Sequence, residues 1–440
     1  MCGHSADVSE CSSQHDFGRP DLPDAQATQP HPWRRMAIRL RSLLRPDLLM
    51  VLCLLGFAVG RRLVLIPEWT QLDLDVYRKG AANLAAGQPL YELVLGHYPF
   101  TYPPFAAIVM LPLGYMDRAV AIAAMAASSL AAFVVICAVT TRMLRMDRRT
   151  GWFLAIGLIS LQPVFKTFEL GQINLILMAL VMLDCLVAPP RYRGIGVGLA
   201  AAIKIVPGIF VLYFVLRRDW RAVVQSGVTF AATVLVSAIV TPHETLSYWT
   251  HLRDDAARTG DTISGVNQSI PAVVARLTHD RYPPAVLVVL ASLCGIALAV
   301  VAARKQLARG NDLAALVCIA IGGLLASPVS WSHHYVWAVP ALIILFLEKH
   351  TIAAAIGAAI FYVAPWQNIP VDNGAELTYG PWQQLISAAF PLAAIVWLAS
   401  RLFARSAAAS PARDSEHQPA SPNGGRVQDG PSSAVCRPLR

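Results

Sequence analysis

Charge is scarce in this chain. Only 14% of its 440 residues are Asp, Glu, Lys or Arg, while 55% are hydrophobic. Soluble domains carry about a quarter charged residues, so a soluble globular fold is excluded. The net charge of +9 then no longer points to nucleic acid and reads as the bias of Lys and Arg toward cytoplasmic loops of a membrane protein. Alternating apolar–polar segments of about ten residues are missing, which excludes a transmembrane β-barrel. Cysteine is absent from every predicted outer loop. Cys2, Cys11 and Cys436 fall in the tails, and Cys53, Cys137, Cys185, Cys294 and Cys318 fall in apolar runs, so no disulfide framework is implied. No internal repeat is visible, which counts against a transporter.

What the chain has instead is a succession of apolar runs. About twelve read as spans: 47–66, 119–141, 151–165, 173–188, 192–204, 206–216, 222–240, 283–303, 311–326, 335–347, 351–366 and 384–404. The expectation is an all-α polytopic membrane protein occupying 47–405. Residues 1–46 form a polar leader without a cleavable signal, ending in the basic run RRMAIRLRSLLR, and 406–440 form a polar tail; both are expected to be disordered and cytoplasmic. That orientation puts Arg142 to Arg149, Arg191, Arg193, Arg217, Arg218, Arg221, Arg304, Lys305 and Arg309 inside, with most of the 36 Lys and Arg. The runs 192–204 and 206–216, around Lys204 and Pro207, are too short to cross a bilayer core of about 30 Å. Short helices survive at that depth only where protein or water covers their ends, so a cavity on the outer side is predicted. The segment 103–116, bracketed by prolines, is predicted to lie along the surface or re-enter.

All the chemically interesting motifs then face outward. The stretch 71–104, QLDLDVYRKGAANLAAGQPLYELVLGHYPFTYPP, cannot be lipid-facing helix. Within it Asp73 and Tyr77 share a helical face at i, i+4, and Asp75 points away. A carboxylate at a lipid–water boundary makes a suitable general base, because partial desolvation raises its pKa; the plainer reading is an acid starting an amphipathic helix. The Asp73–Asp75 pair has no nearby third ligand, so no metal and no cofactor is expected. Arg61 and Arg62 interrupt the outer end of the first span, where one of the two is expected to snorkel and the other to meet a lipid phosphate. Lys166 and Lys204 suit the same role. His333 and His334, flanked by Trp331 and Trp337, point to different sides and suit a phosphate or a sugar hydroxyl better than one metal. Gln172, Asn174, Asn267 and Gln268 are typical sugar-hydroxyl partners, or equally helix caps.

At these motifs the sequence resembles the actinobacterial polyprenol-phosphate-mannose-dependent mannosyltransferases, glycosyltransferase family 87, of the GT-C type. The resemblance rests on Asp73-Leu74-x-Val76-Tyr77, Tyr102-Pro103-Pro104, Gly171-Gln172-x-Asn174, Lys204-x-x-Pro207, Asn267-Gln268-Ser269 and Ser330-Trp331-x-His333-His334, and spans about 45–405. It looks most like the α-1,2-mannosyltransferases that extend phosphatidylinositol mannosides or lipomannan. The resemblance implies a GT-C fold with outer juxtamembrane helices, working on the outer face of the plasma membrane. The partners it implies are a polyprenyl-phosphate-mannose donor, a glycolipid acceptor and the lipid bilayer, with no nucleic acid. It selects Asp73 as the catalytic base over Asp75. Arg62, Lys166, Lys204, His333 and His334 would bind the donor phosphate, and Tyr77, Tyr102, Gln172, Asn174, Asn267 and Gln268 the sugar or acceptor. A β-linked donor would give an α product by inversion. An arabinofuranosyltransferase, a lipid-linked-sugar transporter and a non-catalytic membrane scaffold are the alternatives.

Overall fold

A computed structural model describes residues 70–403, apart from 92, 97, 252–260 and 372–373. The polar leader, the predicted span 47–66 with Arg61 and Arg62, and the tail lie outside the described residues.

The described chain is helical. It opens with α1 (Leu72–Ala85), a two-stranded antiparallel hairpin of β1 (Leu93–Leu95) and β2 (Tyr98–Pro99), and the short helices α2 (Pro104–Val109) and α3 (Leu111–Tyr115). The hairpin was not foreseen from sequence. Helices α4 (Arg118–Met143), α5 (Arg148–Leu158), α6 (Gln162–Leu170), α7 (Asn174–Leu186) and α8 (Ile195–Ile203) follow. A 3-10 turn over Val206–Phe210 leads to α9 (Val211–Leu216), α10 (Trp220–Val240) and α11 (Pro242–Thr250). Next come α12 (Ile270–Leu277), α13 (Ala285–Ala308) and α14 (Asp312–Ala326). A second 3-10 turn, Ser332–Trp337, runs into α15 (Ala338–Leu347), and α16 (Thr351–Val363), α17 (Pro381–Ser387) and α18 (Ala389–Phe403) complete the chain.

Among the described residues, α4, α10 and α13, with 26, 21 and 24 residues, are long and apolar enough to cross a membrane. At about 1.5 Å per residue each exceeds the hydrocarbon thickness. The outward faces of α10 and α13 expose Val224, Val228, Leu235 and Ile239, and Val286, Leu290 and Leu293. Apolar stripes of that extent are stable against lipid and not against water. Two bent pairs, α5 with α6 (65°) and α17 with α18 (67°), bring the number to at most five among the described residues when each pair is counted as one broken span. The expected count of about twelve is therefore not reached by length. The apolar runs lie where the sequence places them, but many break into half-length helices at Pro163, at Lys204 to Pro207 and at the 327–337 turn.

Those breaks position the site. Helix α14 is buried on all sides, from Leu313 to Ile321 and at Leu324 and Leu325, as expected of a helix apolar all round. Its 15 residues reach only about 22 Å, so its end lies within protein. The start of α7 at Asn174, the end of α8 at Lys204 and the turn that follows α14 converge there.

Candidate active site

The site starts from a docking contact made by α1. Gln71, in the left-handed region (φ 50°), donates its backbone N–H to the Glu169 carbonyl at 3.0 Å. Its side-chain amide donates to the carbonyls of Phe168 and Glu169 at 3.0 and 3.2 Å. These carbonyls end α6 and have no partner within the helix, so Gln71 caps α6 and seats α1 upon it. Gly171 makes the approach possible. At φ +67° it closes α6, and a Cβ there would stand 2.6 Å from the Leu74 Cβ and 2.7 Å from the Gln71 side chain. Asp73 is thereby fixed beside Gln172.

Around it runs a closed hydrogen-bond triangle. Tyr77 donates its hydroxyl to Gln172 Oε1 at 2.7 Å, the Gln172 amide reaches the Tyr102 hydroxyl at 3.1 Å, and the two hydroxyls lie 3.0 Å apart. Tyr91 donates to the Tyr102 carbonyl at 3.0 Å and braces the loop. Burial pushes the Asp73 carboxyl up to about 6, against the opposing pull of Gln172, Lys204 and Lys166. The Tyr77 phenol is raised well above its ordinary value by burial and by Tyr102 and Asp73 beside it. Tyr102 is raised by burial and by Asp73. Both phenols stay protonated and serve as donors; Asp73 is the member of the group able to take a proton near neutral pH. Its Oδ2 is buried with no hydrogen-bond partner.

Lys204 adjoins this triangle, 5.7 Å above the Tyr102 ring. Its backbone is extended where α8 ends. The ammonium contacts Asn174 Oδ1 at 3.1 Å and His334 Nε2 at 3.1 Å. An ammonium only donates, so Nε2 accepts and the His334 proton sits on Nδ1. Two of the three Lys204 N–H donors are thus engaged, and the third is left for a ligand. The rings of His333 and His334 stand edge to face at 4.8 Å. His333 Nε2 is buried without a partner, and its carbonyl accepts from the Asn174 amide at 3.2 Å.

Asp73, Tyr77, Tyr102, Gln172, Asn174, Lys204, His333 and His334 are therefore brought together. Lys166 lies at the edge, held in an ion pair with Glu169 at 2.6 Å. Asp75 faces elsewhere, gripped by Arg118 through contacts of 2.9 to 3.1 Å. Arg62 is outside the described residues. Asn267 and Gln268 have every side-chain polar atom engaged by backbone. Asn267 donates to Thr262 and Pro328 carbonyls and accepts from the Ser330 N–H. Gln268 donates to Gly265 and Ser387 carbonyls and accepts from the Phe390 N–H. That leaves neither side chain a free donor, and both are wholly buried; their geometry is that of loop clamps.

Sequence reasoning missed Gln162. It is buried, donates to Ser332 Oγ at 2.9 Å and holds a buried Oε1 with no partner. It shares a helical face with Lys166 and Glu169, and that polar i, i+4, i+7 stripe inside an apolar run was the available signal.

The family model of glycosyltransferase family 87 matches residues 100–328. The chain is 34% identical over 360 residues to the polyprenol-phosphate-mannose-dependent alpha-(1-2)-phosphatidylinositol mannoside mannosyltransferase of Mycolicibacterium smegmatis, covering 73% of this chain and 81% of that protein. The protein of the same description from Mycobacterium tuberculosis is 33% identical over 345 residues, 72% of this chain and 80% of its own. A Mycobacterium tuberculosis alpha-(1-2)-phosphatidylinositol pentamannoside mannosyltransferase is 36% identical over 312 residues, 66% and 70% of the two chains. No solved structure matches.

Proposed function

The chain belongs to glycosyltransferase family 87, and from that premise we propose that it moves mannose from polyprenyl-phosphate-mannose to a phosphatidylinositol mannoside, forming an α-1,2 linkage. The observation that carries the mechanism is a buried carboxylate oxygen without a partner, on a group raised to about 6 by burial, one hydrogen-bonded layer from a cationic lysine.

Asp73 Oδ2 takes the proton of the acceptor hydroxyl as that oxygen attacks the anomeric carbon. The new C–O bond forms on the face opposite the donor phosphate, and the bond to the phosphate oxygen breaks. A β-linked donor so gives an α product by single inversion. The leaving group departs as polyprenyl phosphate, with its charge met by the free Lys204 N–H. A phosphate monoester is already a good leaving group, so no second carboxylic acid is required. His333 and Gln162, each with an orphaned buried atom, are placed for hydroxyls of the transferred sugar. The basic loops of the sequence support an orientation with this site on the outer face of the plasma membrane.

The test is product analysis. The full chain in nanodiscs is supplied with polyprenyl-phosphate-mannose and phosphatidylinositol mannosides, and the linkage formed is read by NMR. An α-1,2-mannosyl product is expected. Transfer from an arabinofuranosyl donor in its place, or no transfer from any polyprenyl-phosphate sugar, would overturn the reading.

A further inference from the structure

One buried carboxylate takes no part in the chemistry above. Asp184, near the end of α7 and 5% exposed, accepts the backbone N–H of Gly194 through both oxygens, at 2.9 and 3.0 Å, and that of Val197 at 2.8 Å. Gly194 precedes α8 and Val197 lies in its first turn, where backbone N–H groups have no partner within the helix. Asp184 therefore caps α8 from a neighbouring helix. A carboxylate suits this better than an amide. Both of its oxygens accept, while an Asn would turn its NH2 toward one of the two N–H groups.

The other end of α8 is Lys204, whose ammonium contacts Asn174, the first residue of α7, at 3.1 Å. The two helices are thus tied at both ends. Asn174 and Asp184 are ten residues apart on one edge, and Gly194 and Lys204 are ten apart on the other. At about 1.5 Å per residue each edge measures about 15 Å, so the two ties stand in register. Between them α8 lies close against both neighbours. A Cβ on Gly196 would stand 2.7 Å from the Asp184 Cβ, and one on Gly198 would stand 2.6 Å from the Ser226 carbonyl oxygen on α10.

We propose that Asp184 is a positioning residue for the reaction: by pinning the start of α8 to α7, it sets where Lys204 stands relative to Asp73. This rests on the roles given above to Lys204 and Asp73 and adds what holds one against the other. A catalytic group misplaced by about 1 Å can cost about 10²-fold in rate, so a cap one helix length away governs turnover. The displacement has an electrical signature. Lys204 pulls the Asp73 carboxyl down, together with Lys166 and the Gln172 hydrogen bond, against the effect of burial. Tyr77 and Tyr102 also face Asp73, and His334 faces Lys204. Of these groups only Lys204 is carried at the end of α8. Loosening the cap should therefore lift the Asp73 titration above its position near 6.

The experiment reads that titration by pH-difference infrared spectroscopy on the full chain in nanodiscs, with Asp73→Asn subtracted to assign the band. Mannose transfer is measured beside it. In Asp184→Asn the Asp73 titration should move to higher pH, and kcat/KM at pH 7 should fall by about tenfold to 10²-fold. Gly196→Ala, which wedges α8 from α7 with no charge removed, should shift both in the same direction by less; it decides the matter where Asp184→Asn does not fold. Gln268→Leu, destabilised away from α8, should leave the titration in place. If Asp184→Asn and Gly196→Ala lower the thermal midpoint while Asp73 titrates as in the wild type, Asp184 is a structural cap only and the proposal falls. A titration that moves, in a protein whose wild type transfers no mannose, would uphold the positioning and sink the proposed activity. Mannose transfer with an unmoved titration would do the reverse.

Discussion

Two polar clusters buttress the turn from Ser327 to Trp337, and in sequence they look alike. One gathers Gln162, Gln172, Asn174 and Asp73; the other gathers Asn267, Gln268 and the guanidinium of Arg276. In the second, the amides are fully engaged by backbone, and Arg276, wholly buried, donates to the carbonyls of Ile263, Ser264, Asn267 and Ser387. In the first, Asp73 Oδ2, Gln162 Oε1 and His333 Nε2 are buried and unmatched. Buried polar atoms without partners cost about 1–3 kcal/mol each, and three of them gathered around one carboxylate mark the place a ligand would complete. The second cluster leaves only Arg276 Nε unmatched and holds a loop in place through its amides, while the first leaves three atoms unmatched around the carboxylate.

That contrast breaks first at Asp73. Asp73→Asn is expected to lower kcat by about 10²–10⁴-fold, with the thermal midpoint in detergent unchanged; retained transfer would remove Asp73 as the base. The pH profile comes next. Asp73 works deprotonated, and burial holds its carboxyl at about 6, so kcat/KM should fall about tenfold per unit as pH drops below that value. Gln172→Leu removes a hydrogen bond that favours the charged carboxylate, so the acidic limb should move to higher pH. A limb that stays in place would detach Gln172 from the base.

In the second cluster the expected loss is one of stability. Gln268→Leu strands the carbonyl of Gly265 and the N–H of Phe390, and leaves the Ser387 carbonyl to Arg276 alone. It should cost about 1–3 kcal/mol per stranded group at most, read as a lower thermal midpoint with an unchanged KM for donor in the folded fraction. A turnover defect at an unchanged midpoint would move Gln268 into the reacting cluster and erase the distinction. The smallest effect belongs to Asp75→Asn, which removes a partly exposed ion pair with Arg118. Such pairs contribute about 1 kcal/mol or less, and transfer should stay near the wild-type rate.

How much of this was legible follows from the range of the interactions. The Asp73–Tyr77 spacing is local and readable, and so is the break between Lys204 and Pro207, because helix length against bilayer thickness is arithmetic on the chain. The bends within the spans were not legible, because an apolar run does not reveal where a helix stops being straight. Asn267 and Gln268 were not separable from Gln172 and Asn174, since an amide's role depends on which backbone groups lie within reach, set by distant residues such as Pro328 and Ser330 for Asn267 and Ser387 and Phe390 for Gln268. Arg276 carried no signal of its burial. Gln162 did carry one, in the stripe it makes with Lys166 and Glu169.

The capping of α6 by Gln71 has a consequence for biogenesis. The contact joins positions 97 and 98 residues apart, so the helix bearing Asp73 emerges from the ribosome long before the surface that seats it. Lys204 arrives later still, and His334 130 residues after it. A nascent or truncated chain therefore carries the carboxylate with no cation opposite it and no seat beneath it. Synthesis itself withholds the chemistry until nearly the whole membrane domain has been inserted.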